Sequence, residues 1–426
     1  MAADHGDVSH FGVRRFGFYL LNHPDYIKDV LVTRQHCFRK GDAVRRAKFV
    51  FGEGLLTSEG AYHERQRRLI LPAFHRQRMA HYCDLMAARA AGWRERWEDG
   101  QKLDVALELR QLTLLIVCEA LFGADVEREA VKVAEAVSGV LNRFNPFSSP
   151  RPAALLLRKL WPARNARPPS TARDTLDPII YGIIAARRRD GADRDDLLSM
   201  LLRAEVESGE GGEPMSDRQV RDEVTTLFLA GHETSANALA WALHLLSQNP
   251  DAQARLHEEV DSALGGRLPS GDDLPRLPFA SMVLAEALRL HPPLWFLSRR
   301  ATEDYEVGGY VVPAGSIVVM SQYVTHHDPR FFPDPFRFDP DRWNEEARSA
   351  RPDFSYFPFG GGKRRCIGEG FAWAEGVLIL ATLAQWWRFS PASTQPVGTL
   401  PGLVLRPGEN LRLRVERRRV NERTPL

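Results

Sequence analysis

Hydrophobic positions in this chain follow the helical period over most of its length. Ahead of the first such run, polar and apolar residues alternate around Phe16, Phe18 and Leu20 and a turn at Asn22 and Pro24 follows, which predicts a strand pair leading into a helix. Helical spacing then runs from Ala61 to the neighbourhood of Asp99, broken at Pro72, whose ring and missing N–H do not fit a helix interior. An apolar stripe predicts another helix over Leu103 to Phe122. The longest pattern, Asp217 to Gln248, opens on a capping box, Ser216 as N-cap and Gln219 at the third helical position, and ends before Pro250. It is apolar on nearly all sides, which places it in the core, although Gly231 inside it costs about 1 kcal/mol relative to Ala. Leu277 to His291 reads as a further helix, stopped by Pro292 and Pro293. Strands are expected at Tyr305 to Val307, Tyr310 to Val312 and Ser316 to Met320, punctuated by Gly308-Gly309 and Pro313-Ala314-Gly315. A last helix is expected from Cys366 to Trp387, then a short β pattern over Leu403 to Leu405 and Leu411 to Val415. The fold class is mainly α with small β-sheets (α+β), without βαβ alternation.

Prolines 146, 150, 152, 162, 168, 169 and 178 crowd the stretch from Asn145 to Pro178, as in a linker between domains or a mobile surface connection within one. Length alone leaves two or three domains open at roughly 150 residues each. Hydrophobic residues at 44% and charged residues at 26% exclude a disordered, collagen-like or disulfide-scaffold chain. With 57 Lys+Arg against 55 Asp+Glu, the net charge of +2 gives no broad basic field for nucleic acid. The four cysteines, Cys37, Cys83, Cys118 and Cys366, form no C-x-x-C pair, which fits a reducing compartment. The start, MAADHGDVSHFG, has no apolar leader, and no run approaches the about 20 apolar residues a membrane span needs. A soluble, cytoplasmic protein is expected.

The strongest chemical signal is Phe359-Gly360-Gly361-Gly362-Lys363-Arg364-Arg365-Cys366-Ile367-Gly368. Glycines ahead of a cysteine at a helix start let the backbone turn tightly, clear side chains from the path of a flat cofactor and aim N–H donors at the sulfur. Those donors, the helix dipole and the neighbouring Arg residues stabilise a thiolate, and with no second Cys or His beside it the thiolate suits a single axial metal ligand rather than a zinc cage. A phosphate-loop reading of Gly-Gly-Lys fails because Arg364 stands where Ser or Thr is required. In the long apolar helix, Ala230-Gly231-His232-Glu233-Thr234 places polar groups where a loosened turn would face a cavity. It is no H-E-x-x-H zinc motif, since Ala236 occupies the second His position.

The cysteine segment matches F-x-x-G-x-R-x-C-x-G at Phe359, Gly362, Arg364, Cys366 and Gly368, and in this it resembles the haem-binding loop of the cytochrome P-450 family, bacterial soluble type. The resemblance covers about Phe16 to Arg406, motifs in family order, and implies one domain over 1–426 holding haem b (iron protoporphyrin IX) between the long central helix and the helix after the cysteine loop. By that resemblance Cys366 is the thiolate ligand to iron, Phe359 packs beside it, and Arg364 reaches a propionate. His63 and Arg67 are similar to the family's W/H-x-x-x-R propionate pair, and Arg299 to its other propionate arginine, with Arg300 as its neighbour. Thr234 would hold dioxygen and its protonation network, Glu233 would help deliver protons, and Ala230 and Gly231 would leave room for oxygen. Glu286-x-x-Arg289, with Arg342 as partner, resembles the family's E-x-x-R lock on the cysteine side. Leu227, Phe228, Leu294, Trp295, Phe296, Leu403 and Val404 match positions that line the substrate pocket.

The implied activity is that of a monooxygenase inserting one atom of O2 into an apolar lipid-, terpene- or polyketide-like molecule, by hydroxylation or epoxidation. No flavin fingerprint or iron–sulfur cysteine set is present, so electrons are expected from a separate ferredoxin or flavodoxin with its reductase, meeting Lys363, Arg365 and Arg68. A peroxygenase or isomerase on the same cofactor, or a non-catalytic haem carrier, has no need of the Glu233-Thr234 pair. Family members carry a first helix ahead of the opening strands, and here that helix is expected to be short or missing. The Pro-rich stretch would be an access lid.

Overall fold

The computed structural model describes residues 5–13, 16–124, 172–191, 194, 196–206 and 213–418. Residues 1–4, on which the expectation of a short or missing first helix bears, and the proposed lid up to residue 171 lie outside them. The end of the Pro-rich stretch belongs to a regular element, the helix Ala172–Asp190, with Pro178 inside it.

The long helix spans Asp217–Gln248 as the sequence predicts, with both arms of the Ser216/Gln219 capping box formed. It lies against Val105–Phe122, Pro278–Leu290 and Glu369–Ala384, which themselves pack on Arg76–Arg94 and Pro250–Leu264, so that one apolar core surrounds it. Pro72 breaks the earlier helical run as expected, into Gly60–Ile70, a tight turn at Leu71–Phe74, and Arg76–Arg94. The helix read from Leu103 begins two residues later: Lys102–Asp104 is a strand paired with Arg412–Arg417, and the Asp104 carboxylate caps the Leu107 N–H at 3.0 Å.

A five-stranded sheet lies beside this helical body in the order Val8–Val13, Phe16–Leu21, Ile317–Met320, Leu297–Ala301, Phe38–Lys40. Its neighbours are antiparallel except for Phe16–Leu21 with Ile317–Met320. The sheet has its own apolar cluster, built on Leu21, Phe38, Val318 and Met320. A three-stranded sheet unites Trp387–Pro391, Arg412–Arg417 and Lys102–Asp104. Trp387 is therefore strand, and the helix expected from Cys366 is confined to Glu369–Ala384. Cys366 stays outside because its N–H turns back to the Phe359 carbonyl at 3.0 Å. Leu403 to Leu405 is not strand either: the Leu405 N–H donates to the Pro293 carbonyl, and pairing starts at Arg406–Pro407.

Candidate active site

The cysteine loop is shaped by glycine. Gly362 has φ +66°, and a Cβ there would fall 1.9 Å from the Leu31 carbonyl oxygen; at Gly361 it would strike the Phe354 ring at 2.5 Å. Only a chain without side chains at these positions passes so close to its neighbours. The loop then presents the Cys366 sulfur to the N–H of Gly368 at the start of the following helix, which favours the thiolate, as do Arg67 and Arg365. Burial outweighs them and pushes the thiol pKa up. Cys366 is thus enclosed by protein atoms while its surface remains accessible, so it borders a gap in the packing. A thiol of this kind becomes a thiolate when a metal cation takes it as ligand. Phe359 packs beside the loop, its ring 5.8 Å from that of Trp373.

The middle of the long helix borders a gap too. The helix is buried from Val220 to Leu229 and again from Ser235, yet Ala230 is exposed and Gly231 and Thr234 are half-exposed. No loosened turn appears, and the helix runs uninterrupted. Carbonyls in this stretch receive side-chain donors as well: the Thr234 hydroxyl bonds Ala230 at 2.6 Å, the Thr113 hydroxyl bonds His232 at 3.0 Å and the Asn237 amide bonds Glu233 at 2.7 Å. Gly231 also serves the packing of the helix. A Cβ there would lie 3.0 Å from Val117 Cγ2, so the glycine lets the helix Val105–Phe122 approach closely. The Glu233 carboxylate is fully buried, with Arg406 Nε 2.7 Å away and His232 Nε2 3.6 Å away. Arg406 carried no sequence signal; it lies on a short strand far along the chain.

A cationic group lies between the cysteine loop and the sheet. Arg299, on the strand next to Lys40, is enclosed and lowered to about 10 by burial and by Arg364. Arg300 stands one step along the same strand, opposite Arg39. Arg364 makes a two-armed pair with Glu59, which also takes the Lys40 N–H at 2.6 Å. Lys40 Nζ is buried on the Leu55 and Ser58 carbonyls, and burial beside Arg364 lowers it to about 7. Lys40 and Glu59 are neighbours of this group that the motifs did not single out. His63 Nδ1 lies 3.2 Å from the Leu55 carbonyl and 3.4 Å from Ser58 Oγ, while its Nε2 is buried with no protein partner. Burial holds His63 down at about 4. Arg67 donates to the Arg365 carbonyl at 2.8 Å, tying its helix to the cysteine loop.

Glu286 and Arg289 form a fully buried, two-armed pair at 2.7 and 2.8 Å. Arg342 is the expected partner at 3.4 Å, and the Trp343 indole and the Asp339 N–H also donate to Glu286, at 2.9 and 3.0 Å. Arg289 reaches the His326 carbonyl, and His326 Nε2 accepts the Phe357 N–H at the entry to the cysteine loop. Trp343 and His326 thus extend a lock that the four-residue spacing alone revealed only in part.

Of the pocket positions, Trp295 Nε1 donates to the Gly402 carbonyl at 2.9 Å, bringing Leu294, Trp295 and Phe296 beside Leu403 and Val404. Leu294 is exposed, and Phe296 and Leu403 are half-buried. Leu227 and Val404 are each 6% exposed. Phe228 departs from expectation: it is closed in the core at 1% exposure, its ring 6.0 Å from His232, because the helix turns that face towards the core. On the cysteine side, a groove of about 930 Å³ is lined by Trp343, Arg348, Arg351, Phe359, Arg365 and Trp373 among others. Lys363 and Arg365 are paired there with Glu64 and Glu369.

A thiol at a gap, a half-exposed Thr at another, a buried imidazole nitrogen without a partner and an enclosed cationic group together fit a flat metal cofactor with an anionic edge. The Cytochrome P450 family model matches residues 1–414. The chain belongs to the cytochrome P450 family. Cyclooctatin synthase of Streptomyces melanosporofaciens is 39% identical over 410 residues, covering 96% of this chain and 87% of the relative. Cyclooctat-9-en-7-ol 5-monooxygenase of the same organism is 36% identical, covering 91% of this chain and 83% of the relative. Pentalenene oxygenase of Streptomyces avermitilis is 36% identical, covering 92% and 87%. As a P450, the protein is a haem-iron monooxygenase that uses O2 and redox partners on a small apolar molecule. No helix among the described residues is long and apolar enough to cross a membrane.

Proposed function

We propose that this single-domain P450 hydroxylates or epoxidises a terpene, with Cys366 as the thiolate ligand of haem b. The observation that carries the ligand assignment is Cys366 itself, enclosed yet accessible, with the Gly368 N–H on its sulfur. The haem supplies dioxygen activation and oxygen-atom transfer once two electrons arrive. Arg299 and Arg364 would neutralise its propionates, and His63, whose Nδ1 proton faces the Leu55 carbonyl, would donate through its unpartnered Nε2 only as the imidazolium. Glu233 takes up protons and the Thr234 hydroxyl hands them on in the oxygen pocket, where Ala230 keeps the helix surface open. Leu294, Trp295, Phe296 and Leu403, with edges of Leu227 and Val404, give the substrate an apolar wall that excludes water.

The terpene assignment rests on that wall and on the names of the three relatives. Titrating the protein with terpene hydrocarbons, fatty acids and macrolides tests it through the shift in haem absorption as a substrate displaces water. Terpenes are expected to give the largest shifts; a response to the other classes alone would reject the assignment. The electron donor is an acidic ferredoxin or flavodoxin at the groove beside the cysteine loop, where Arg348, Arg351 and Arg365 stand. The protein is proposed to be cytoplasmic. Arg348→Glu, at an exposed arginine of that groove, is expected to slow reduction and flatten its salt dependence; an unchanged salt slope would remove that face from the interaction.

A further inference from the structure

A fully buried carboxylate is costly unless a cation or donors meet it. At Glu233 the cation is Arg406, with Nε 2.7 Å from Oε1 and its side chain only 11% exposed. Burial lowers the Arg406 pKa and Glu233 raises it again. The second neighbour, His232, supplies no charge. Its Nδ1 lies 3.2 Å from the Phe228 carbonyl, which can only accept, so Nδ1 carries the proton. Complete burial keeps the ring neutral, and Nε2 then turns a lone pair towards Glu233 at 3.6 Å. Arg110, on the neighbouring helix, adds positive potential to the same group and opposes protonation of His232.

Arg406 also stands in a telling place. It opens the strand Arg406–Pro407, two residues after Val404. The turn before it is fastened to the other apolar wall by the Leu405 N–H on the Pro293 carbonyl at 2.8 Å and by the Trp295 indole on Gly402. One short segment therefore carries both the substrate wall and the partner of the buried acid.

We propose that Arg406 is a positioning residue, which pairs with the Glu233 carboxylate, keeps it aimed at the turn 402–407 and so sets its readiness to deliver protons beside Thr234. The proposal rests on the reading of Glu233 given above. An arginine serves here better than a lysine because its fixed fork fits a carboxylate without searching among rotamers. If Arg406 acts on the oxygen pocket through Glu233, its replacement should have no further effect there once Glu233 is replaced by Gln.

The test uses the haem-loaded protein, reduced and bound to carbon monoxide, whose infrared stretch reads the polarity and hydrogen bonding of the oxygen pocket without turnover. Glu233→Gln and Arg406→Gln are each expected to shift or split the band. Arg406→Lys should return it most of the way, and the double variant should match Glu233→Gln alone. Peroxide released per O2 consumed should rise in the same order. If Glu233→Gln moves the band and Arg406→Gln does not, or if the two shifts simply add, the positioning role is overturned. If Glu233→Gln itself leaves the band in place, the reading of Glu233 falls and the proposal with it. Should Arg406→Gln not fold, the double variant leaves no unpaired buried charge and, with Arg406→Lys, carries the comparison.

Discussion

At Gly362 the chain combines a left-handed backbone with a Cβ direction blocked by the Leu31 carbonyl, whereas at Gly370, on the helix that follows, nothing lies within 4 Å. Two glycines eight residues apart thus have opposite prospects. Gly362→Ala is expected to cost at least about 2 kcal/mol, from backbone strain and from forcing two backbone segments apart. Gly370→Ala should be neutral or gain up to about 1 kcal/mol, because alanine is the better helix former. Thermal melts of the two variants check this, and equal destabilisation would mean that the loop is not held as described. The same scale explains what the motifs made legible. Cys366, Arg364 and Phe359 were readable because one backbone turn forces their spacing. Arg406 and Lys40 were not, since their partners Glu233 and Glu59 come from distant elements.

Between elements, the decisive contact is the crossing of Val105–Phe122 over the long helix. Gly231 opposite Val117 sets its closeness. Gly231→Ala gains helix propensity but overpacks against Val117, a cost of about 1–3 kcal/mol, and Val117→Ala makes room for the new methyl. The double-mutant cycle should show favourable coupling of about 0.5–3 kcal/mol, measured by urea unfolding. Strict additivity would mean that the helices are not in contact there. The Glu286 lock behaves differently, since removing one member leaves a charge buried without its partner. Arg289→Met is expected to cost about 3–5 kcal/mol and to loosen the cysteine loop through His326 and Phe357. Helix existence was plain from periodicity at Asp217–Gln248 and Pro278–Leu290, though not at Ala172–Asp190 or Pro250–Leu264. Helix ends were not, because Asp104 and the Cys366 N–H take tertiary partners that override the local pattern.

For the whole molecule, buried histidines dominate the response to acid. Burial lowers His63, His257 and His327 to about 4 and His291 to about 3, whereas the unfolded chain protonates them near 6.5. The unfolded state binds more protons in that window, so stability is lost as pH falls from 6.5 towards 4. Glu223 and Glu375, raised to about 8 by burial, act oppositely: their contribution is full below 4.5 and lost as pH rises through 8. Four rings outweigh two carboxyls, and the urea midpoint is expected to rise between pH 4.5 and 6.5; a flat or falling midpoint would contradict this balance. The near-zero net charge, 57 against 55, likewise resolves into local pairs, Lys363 with Glu64 and Arg365 with Glu369, on the face beside the cysteine.

The central claim is that Cys366, held by its glycine loop, is the thiolate ligand of the haem. The absorption spectrum of the reduced protein under carbon monoxide tests it most directly. The main band is expected at the position given by a thiolate ligand, and is expected to be lost in Cys366→His. A band at the neutral-imidazole position in the unaltered protein would contradict it.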